Sequence, residues 1–319
     1  MRFSSTLLII GGTTASGKSA LALTLAARLA VSGIRTEIVN CDSVQLYRHL
    51  PILTARPDAA EEARAPHHLY GLFEPHEPVD AARWLAMAAP VIADIRGRGA
   101  VPVLVGGTGL YIHALFNGLA PVPPIDPGIR DVVRAVPAGD LHAVLLREDP
   151  VMAARLDPGD SQRLMRALEV IRSTGRSLGQ WQSEERRSPV KPEEVRGAVL
   201  LPPRERLWER IEERMRRMLA NGAASEVEAL CGIVRDPLSL PIGKTHGLAE
   251  MMAYLDGRMS EDEVVERTSI RVRQYAKRQS TWFRRQSPLL PVLAEFGEVP
   301  ETVDKLLMHL DKMASREAD

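Results

Sequence analysis

Cysteine is scarce in this 319-residue chain: Cys41 and Cys231 are the two present, 190 positions apart. Neither sits in a CxxC or Cys/His spacing, so no zinc site is expected and a reducing cytoplasm suits the composition. Net charge is missing as well. The 41 Lys and Arg residues balance 41 Asp and Glu, which at first sight argues against a nucleic-acid partner, because phosphate backbones select basic surfaces. A long unbroken apolar run is also lacking. The stretch Gly99–Ile125 has no Asp, Glu, Lys or Arg over 27 residues, but Gly106, Gly107, Gly109, His113, Asn117, Pro121, Pro123 and Pro124 break it up, so no membrane partner is expected. The apolar Leu7–Ile10 is too short for a signal peptide and runs directly into a glycine loop, which implies no export. With 45% hydrophobic and 26% charged residues, the composition excludes wholesale disorder, collagen-like repetition and a coiled-coil rod. The length suggests about two structural units.

What is present alternates strand with helix. Thr6–Ile10 reads as a buried strand and Ala20–Val31 as a helix ended by Gly33, with further strands over Glu37–Cys41 and Ala100–Val105. That order predicts an α/β fold with a parallel sheet flanked by helices, and ligands in such sheets sit at the carboxyl ends of the strands. Gly11–Ser19, Asp42–Ser43 and Gly106–Gly109 fall there. Past Pro121 a proline-rich linker leads into helical segments, and more helices follow Pro202-Pro203, over Arg204–Ala220 and Ser260–Arg285. The expected organisation is a P-loop NTPase-like core from residues 1–121 and 198–285, a helical insertion domain over 122–197, and a peripheral C-terminal helix and tail over 286–319.

Gly12, Thr13, Thr14, Ala15, Ser16, Gly17, Lys18 and Ser19 fit G-x-x-x-x-G-K-[ST] between a strand and a helix, where the pattern has physical meaning. Backbone N–H groups there turn inward around phosphate oxygens, and the helix N-terminus adds positive potential. Lys18 would neutralise a phosphate, and the Ser19 hydroxyl would bind Mg²⁺. A diphosphate-bearing ligand follows, but the loop does not say which one, and the commonest users are kinases and NTPases.

The following blocks are more specific. Asn40-Cys41-Asp42-Ser43-Val44-Gln45-Leu46-Tyr47, Thr54-Ala55-Arg56-Pro57, Pro66-His67-His68-Leu69, Gly106-Gly107-Thr108-Gly109-Leu110-Tyr111, Gln162 to Val170 and Gln274 to Arg284 stand in order along the chain. Together with the phosphate loop this series resembles the tRNA dimethylallyltransferases, also called tRNA isopentenyltransferases, from residue 12 to about residue 285. The resemblance implies transfer of a dimethylallyl group from dimethylallyl diphosphate to N6 of the adenosine 3′-adjacent to the anticodon, with release of diphosphate and no consumption of ATP. It implies that Gly12 to Ser19 bind the diphosphate, that Asp42 is the general base on N6, and that Thr108 acts beside it as a second catalytic residue. A carboxylate in hydrogen-bond reach of a weakly nucleophilic aromatic amine suits that proton transfer, and the buried base must be extruded from the anticodon loop. By the same resemblance the tRNA-binding set is Asp42, Ser43, Val44, Gln45, Thr108, Arg130, Gln162, Arg163, Leu164, Met165, Arg166, Lys277, Arg278, Gln279 and Arg284. Mg²⁺ is the implied cofactor, the tRNA anticodon loop and dimethylallyl diphosphate are the implied partners, and a cytoplasmic monomer is expected. Relatives often carry a Gly-Tyr pair where this chain reads Gly247-Leu248, so the tyrosine's role is not assigned to Leu248.

The RNA-facing segments also have plainer readings. Arg271, Gln274, Arg278, Thr281 and Arg285 recur at helical spacing, with Tyr275, Ala276, Gln279, Trp282 and Phe283 on another side of the same wheel, which makes either a solvated face or an RNA-binding one. Residues 271–285 carry six basic and no acidic side chains, so the other 304 residues sum to −6. Neutrality is therefore charge segregation. Asp160-Ser161 can cap the helix carrying Gln162, Arg163 and Arg166, with Leu164, Leu168 and Ile171 on its buried side. Arg204–Ala220, with six arginines and four glutamates, reads as mainly structural, His67-His68 as structural or hydrogen-bonding, and Cys41 as a buried small residue. A P-loop kinase or NTPase, and a non-catalytic RNA binder, remain as alternative functions.

Overall fold

A computed structural model describes residues 5–286 and 290–315. Its sheet is parallel throughout and is built from β1 (Leu7–Gly12), β2 (Thr36–Asn40), β3 (His67–His68), β4 (Val101–Gly106), β5 (Val195–Leu200) and β6 (Val292–Leu293), in the spatial order β3-β2-β4-β1-β5-β6. Every residue of β1, β4 and β5 is buried, as expected for central parallel strands covered by helices on both faces. Leu8 pairs with Val103 and Ile10 with Val105, so β1 and β4 end together at Gly11 and Gly106. Asn40, the last residue of β2, pairs with Val105. The three expected ligand-binding loops consequently leave the sheet side by side.

Helix Lys18–Val31 packs Leu21, Leu25 and Leu29 into a core cluster with Leu8, Ile10, Val103 and Val105. Helix Pro300–Ser315 adds Val303, Leu306 and Leu310 to the same cluster. The 26-residue helix Glu261–Gln286 places Phe283, fully buried, against Gly11. Helix Arg204–Ala220 joins it through Leu207, Ile211 and Ala276.

The chain divides into two compact units, one of residues 1–116 with 189–319 and one of Asn117–Ser188. Two segments differ from their expected places. Val195–Gly197, expected in the insertion, starts β5 and pairs with Leu7, Leu8 and Ile9; Arg196 and Gly197 interrupt the apolar run and hide the strand in the sequence. The segment expected to be peripheral after residue 286 supplies β6 and three core side chains.

The smaller unit packs helices Pro127–Arg134, Leu141–Glu148 and Ser161–Thr174 around Val133, Leu141, Leu145, Met152, Leu164 and Leu168. Asp126 caps the first, with Pro127 at its opening position, and Asp160 caps the third by accepting the Arg163 N–H at 3.1 Å. These aspartates satisfy amides that the helix itself leaves unbonded. Among the described residues, no helix is long and apolar enough to cross a membrane.

Candidate active site

The phosphate loop turns sharply because Gly17 adopts φ +86° as the cap of helix Lys18–Val31. A side chain there would be strained and would run into Gly297 and Glu298. Ala15 is also left-handed, at φ +60°, a conformation costing a non-glycine residue roughly 1 kcal/mol. The curl leaves the N–H groups of Ala15, Gly17, Lys18 and Ser19 without an acceptor among the described residues. Converging free amides at a helix N-terminus form an anion cradle.

Cationic side chains line this cradle. Lys18 Nζ donates to the Thr13 carbonyl at 2.6 Å. Burial lowers its pKa to about 8; Asp42 counteracts that, while Arg214 reinforces it. Arg214 projects inward from helix Arg204–Ala220, and it has no hydrogen-bond or ion-pair partner among the described residues. Burial lowers its pKa, against the supporting charge of Asp42, with Arg210 and Arg217 adding to the depression. An unpaired, half-buried guanidinium beside an amide cradle is a natural anion ligand. Reading the helix as mainly structural missed it. No sequence signal sets it apart from Arg210, one turn away, which ion-pairs with Glu298.

Asp42 stands where β2 ends. Its N–H donates to Asn40 Oδ1 at 2.8 Å, and Asn40 Nδ2 donates to the Asp42 and Leu69 carbonyls at 3.0 and 2.9 Å. Asn40 is fully buried, so this loop is pinned from inside. Asp42 Oδ1 accepts the Val44 N–H at 3.1 Å, which leaves Oδ2 for another partner. Thr108 Oγ1 accepts the Ser43 N–H at 3.1 Å, and the Thr108 N–H donates to the Cys41 carbonyl at 3.2 Å. The catalytic pair expected from the sequence is thus brought together by backbone bonds between two loops. Cys41 is fully buried and its thiol pKa is pushed well up by burial and then by Asp42, so it is no nucleophile.

Tyr275 joins this pair, although helical spacing set it apart from the polar face. Its hydroxyl pKa is raised by burial and by Asp42, while a hydrogen bond with Thr108 opposes the rise. His246 lies against Tyr275 with ring centroids 5.0 Å apart.

Gln279 does not present itself to an RNA as expected. It is 4% exposed; its Oε1 accepts the Thr14 N–H at 2.8 Å and its Nε2 donates to the Gly107 carbonyl at 2.9 Å. It ties the phosphate loop to the loop after β4, and a side chain on Gly107 would collide with it. Gln45 likewise uses its amide on the carbonyls of Thr54 and Ala55. Lys277, Arg278 and Arg284 are exposed, together with Arg271, Gln274, Thr281 and Arg285. Arg271 is held by Glu250 at 2.7 Å and Arg273 by Glu212 at 3.0 Å.

In the smaller unit, Gln162, Arg163 and Arg166 are exposed and Arg130 is half-buried. Glu169 is buried and ion-paired to both Arg130, at 3.9 Å, and Arg166, at 3.7 Å. Leu164 has no exposed surface, and Met165 packs partly buried against the same cluster. Leu164 is therefore core, because it shares the buried face of its helix with Ala167 and Leu168 at i+3 and i+4.

The family profile described as IPP transferase matches residues 45–286. This chain belongs to the IPP transferase family. The tRNA dimethylallyltransferase of Sphingopyxis alaskensis is 47% identical over 280 residues, covering 88% of this chain and 90% of that protein. That of Rhodospirillum centenum is 48% identical over 283 residues, covering 88% of each. Among solved structures, the full-length tRNA isopentenylpyrophosphate transferase of Bacillus halodurans aligns with 99% of this chain and 100% of its own, at 30% identity and TM-score 0.68. A eukaryotic dimethylallyltransferase acting on tRNA aligns with 98% of this chain and 77% of its own, at 26% identity and TM-score 0.77. Membership of the IPP transferase family accounts for a phosphate loop beside an acidic loop, and it gives no support to the kinase or NTPase reading. Leu248 is fully buried.

Proposed function

We propose that this protein transfers a dimethylallyl group from dimethylallyl diphosphate to N6 of the adenosine 3′-adjacent to the anticodon of tRNA. The observation that carries this reading is the convergence of the free-amide cradle, Lys18 and Arg214 with the Asp42–Thr108 loop pair at one end of the sheet. An anion held beside a carboxylate with a free oxygen suits displacement of diphosphate by an amine that loses its proton to Asp42. The allylic C–O bond breaks, the C–N bond forms, the N6 proton passes to the carboxylate, and the electron pair leaves with diphosphate. Lys18, Arg214 and the amides of Ala15, Gly17, Lys18 and Ser19 stabilise the negative charge growing on the bridging oxygen. Thr108, braced by Ser43 and Tyr275, orients the acceptor amine.

Mg²⁺ fits the donors present. The Ser19 hydroxyl is half-buried with no hydrogen-bond partner among the described residues, and a hard hydroxyl oxygen suits this cation. No group of three or more His, Cys, Asp or Glu that could hold a metal exists among those residues, so Ser19 and the diphosphate oxygens would hold it. When bound, the ion would neutralise part of the diphosphate charge.

The exposed Lys277, Arg278 and Arg284 of the larger unit offer a basic surface to tRNA, and the smaller unit, taken by itself, offers exposed Gln162, Arg163 and Arg166. Purified protein, dimethylallyl diphosphate and unmodified tRNA should yield prenylated adenosine and free diphosphate with ATP absent. ATP turnover without prenylation, or tight tRNA binding without either, overturns the reading.

A further inference from the structure

His246 follows Thr245 at the end of a short 3₁₀ turn, Pro241–Lys244, and precedes Gly247, which opens helix Leu248–Leu255. The backbone there is left-handed at Gly247, φ +93°, packed against Leu53 and Thr268. The backbone that carries the imidazole is accordingly held at Gly247. The imidazole is half-buried, tilted 49° against the Tyr275 ring. Neither of its nitrogens has a hydrogen-bond partner among the described residues, and neither is sealed from solvent, so both are open to a ligand that displaces water.

Its surroundings say which. Tyr275 leads from His246 to Thr108 and Asp42, so the imidazole stands one aromatic ring away from the pair that the acceptor amine must face. The Arg278 guanidinium carbon lies 5.8 Å from the centroid of the Tyr275 ring. Burial and the guanidinium of Arg278 lower the His246 pKa; Glu250 opposes this, Arg271 adds to it, and Asp42 opposes it again. The ring is therefore neutral near pH 7, carrying one N–H donor and one acceptor. A purine whose exocyclic amine is offered to Asp42 retains ring nitrogens that accept hydrogen bonds and a π-face that stacks on an aromatic ring.

Resting on the prenyl-transfer reading, we propose that His246 is a base-contacting residue: its N–H donates to a ring nitrogen of the acceptor adenine while Tyr275 packs on the base. His246 lies outside the residues that the resemblance marked, next to Gly247-Leu248, where the resemblance breaks down.

The test compares His246→Phe, which keeps an aromatic ring without nitrogens, with His246→Gln, which keeps a donor and an acceptor without the ring. Steady-state prenylation is measured on one unmodified tRNA, and thermal melting of each variant is recorded. His246→Phe should lower kcat/KM for tRNA about tenfold, the scale of one lost hydrogen bond, with KM for dimethylallyl diphosphate unchanged. His246→Gln should return to within about threefold of the parent. Equal activity of His246→Phe and the parent overturns the proposal, as does a His246→Gln as impaired as His246→Phe at an unchanged Tm. An inactive parent protein overturns the prenyl-transfer reading, and this proposal with it.

Discussion

The two units hold their polar residues by different means. In the larger unit the reacting loops are fixed by bonds between residues far apart in sequence: Thr14 to Gln279 across 265 positions, Gln279 to Gly107 across 172, Ser43 to Thr108 across 65. In the smaller unit the exposed arginines are arrayed by one helix and steadied by near neighbours, Arg163 by Asp160 and Arg166 by Glu169, each at i,i+3. Bond-making chemistry loses orders of magnitude for small misplacements. Contacts to a phosphate backbone tolerate them, because the attraction is long-ranged and shared among many charges. On the proposed function, rigid, backbone-anchored groups would stand where atoms react and adjustable side chains where RNA rests.

Substitution at Asp42 breaks the comparison most severely. Asp42→Asn keeps the Oδ1 acceptor for Val44 but removes the proton acceptor, so prenylation should fall about 10²–10⁴-fold, with tRNA affinity within about twofold. A parallel loss of tRNA binding would mean that Asp42 anchors RNA and does no chemistry. Next comes Gln279→Ala, which strands the buried Thr14 N–H and Gly107 carbonyl at about 1–3 kcal/mol for each unsatisfied group. Lower Tm and a roughly tenfold higher KM for dimethylallyl diphosphate should follow, with tRNA Kd unchanged. A weakened tRNA Kd instead would restore Gln279 to the RNA surface from which its burial removes it.

Glu169→Gln is milder. It frees Arg130 and Arg166 from their shared carboxylate while keeping the helix, so tRNA Kd should rise about threefold and KM for dimethylallyl diphosphate should not move. Filter binding across a salt series separates the outcomes. A tighter complex would show that Glu169 restrains the arginines against RNA and does not present them.

Much of this was legible in the sequence, and the boundary of legibility follows the same division. Local signals transmitted well: the apolar run of β1, the aspartate cap at Asp160, the Gly-rich loop and the basic face of helix Glu261–Gln286. Long-range ones did not. Nothing in the neighbours of Gln279 shows that both ends of its amide are consumed by loops more than 170 residues away. Arg214 looks like any arginine on a charged helix until the helix is packed beside Lys18. Edge strands β3 and β6 have two residues each, too few for any period to register. Tyr275 was set aside by a wheel that separates polar from apolar faces, since a phenol belongs to both.

The smallest effect concerns the cradle without its anion. Lys18 has a folded-state pKa of about 8 against an ordinary 10.5, so the folded protein binds its proton less readily than the unfolded chain does. The resulting penalty is complete below pH 8 and is relieved as pH climbs from 8 towards 10.5. Lys18→Met removes a charge that is costly to bury. At pH 7 its Tm should exceed that of the parent by a few degrees, less the contribution of the lost Thr13 bond, and the gap should narrow steadily above pH 8. Saturating diphosphate should invert the order, because it pairs the ammonium and stabilises the parent alone. A variant that melts below the parent at pH 7 without diphosphate would mean that the Thr13 bond outweighs desolvation, and that the cradle is organised by its lysine before any anion arrives.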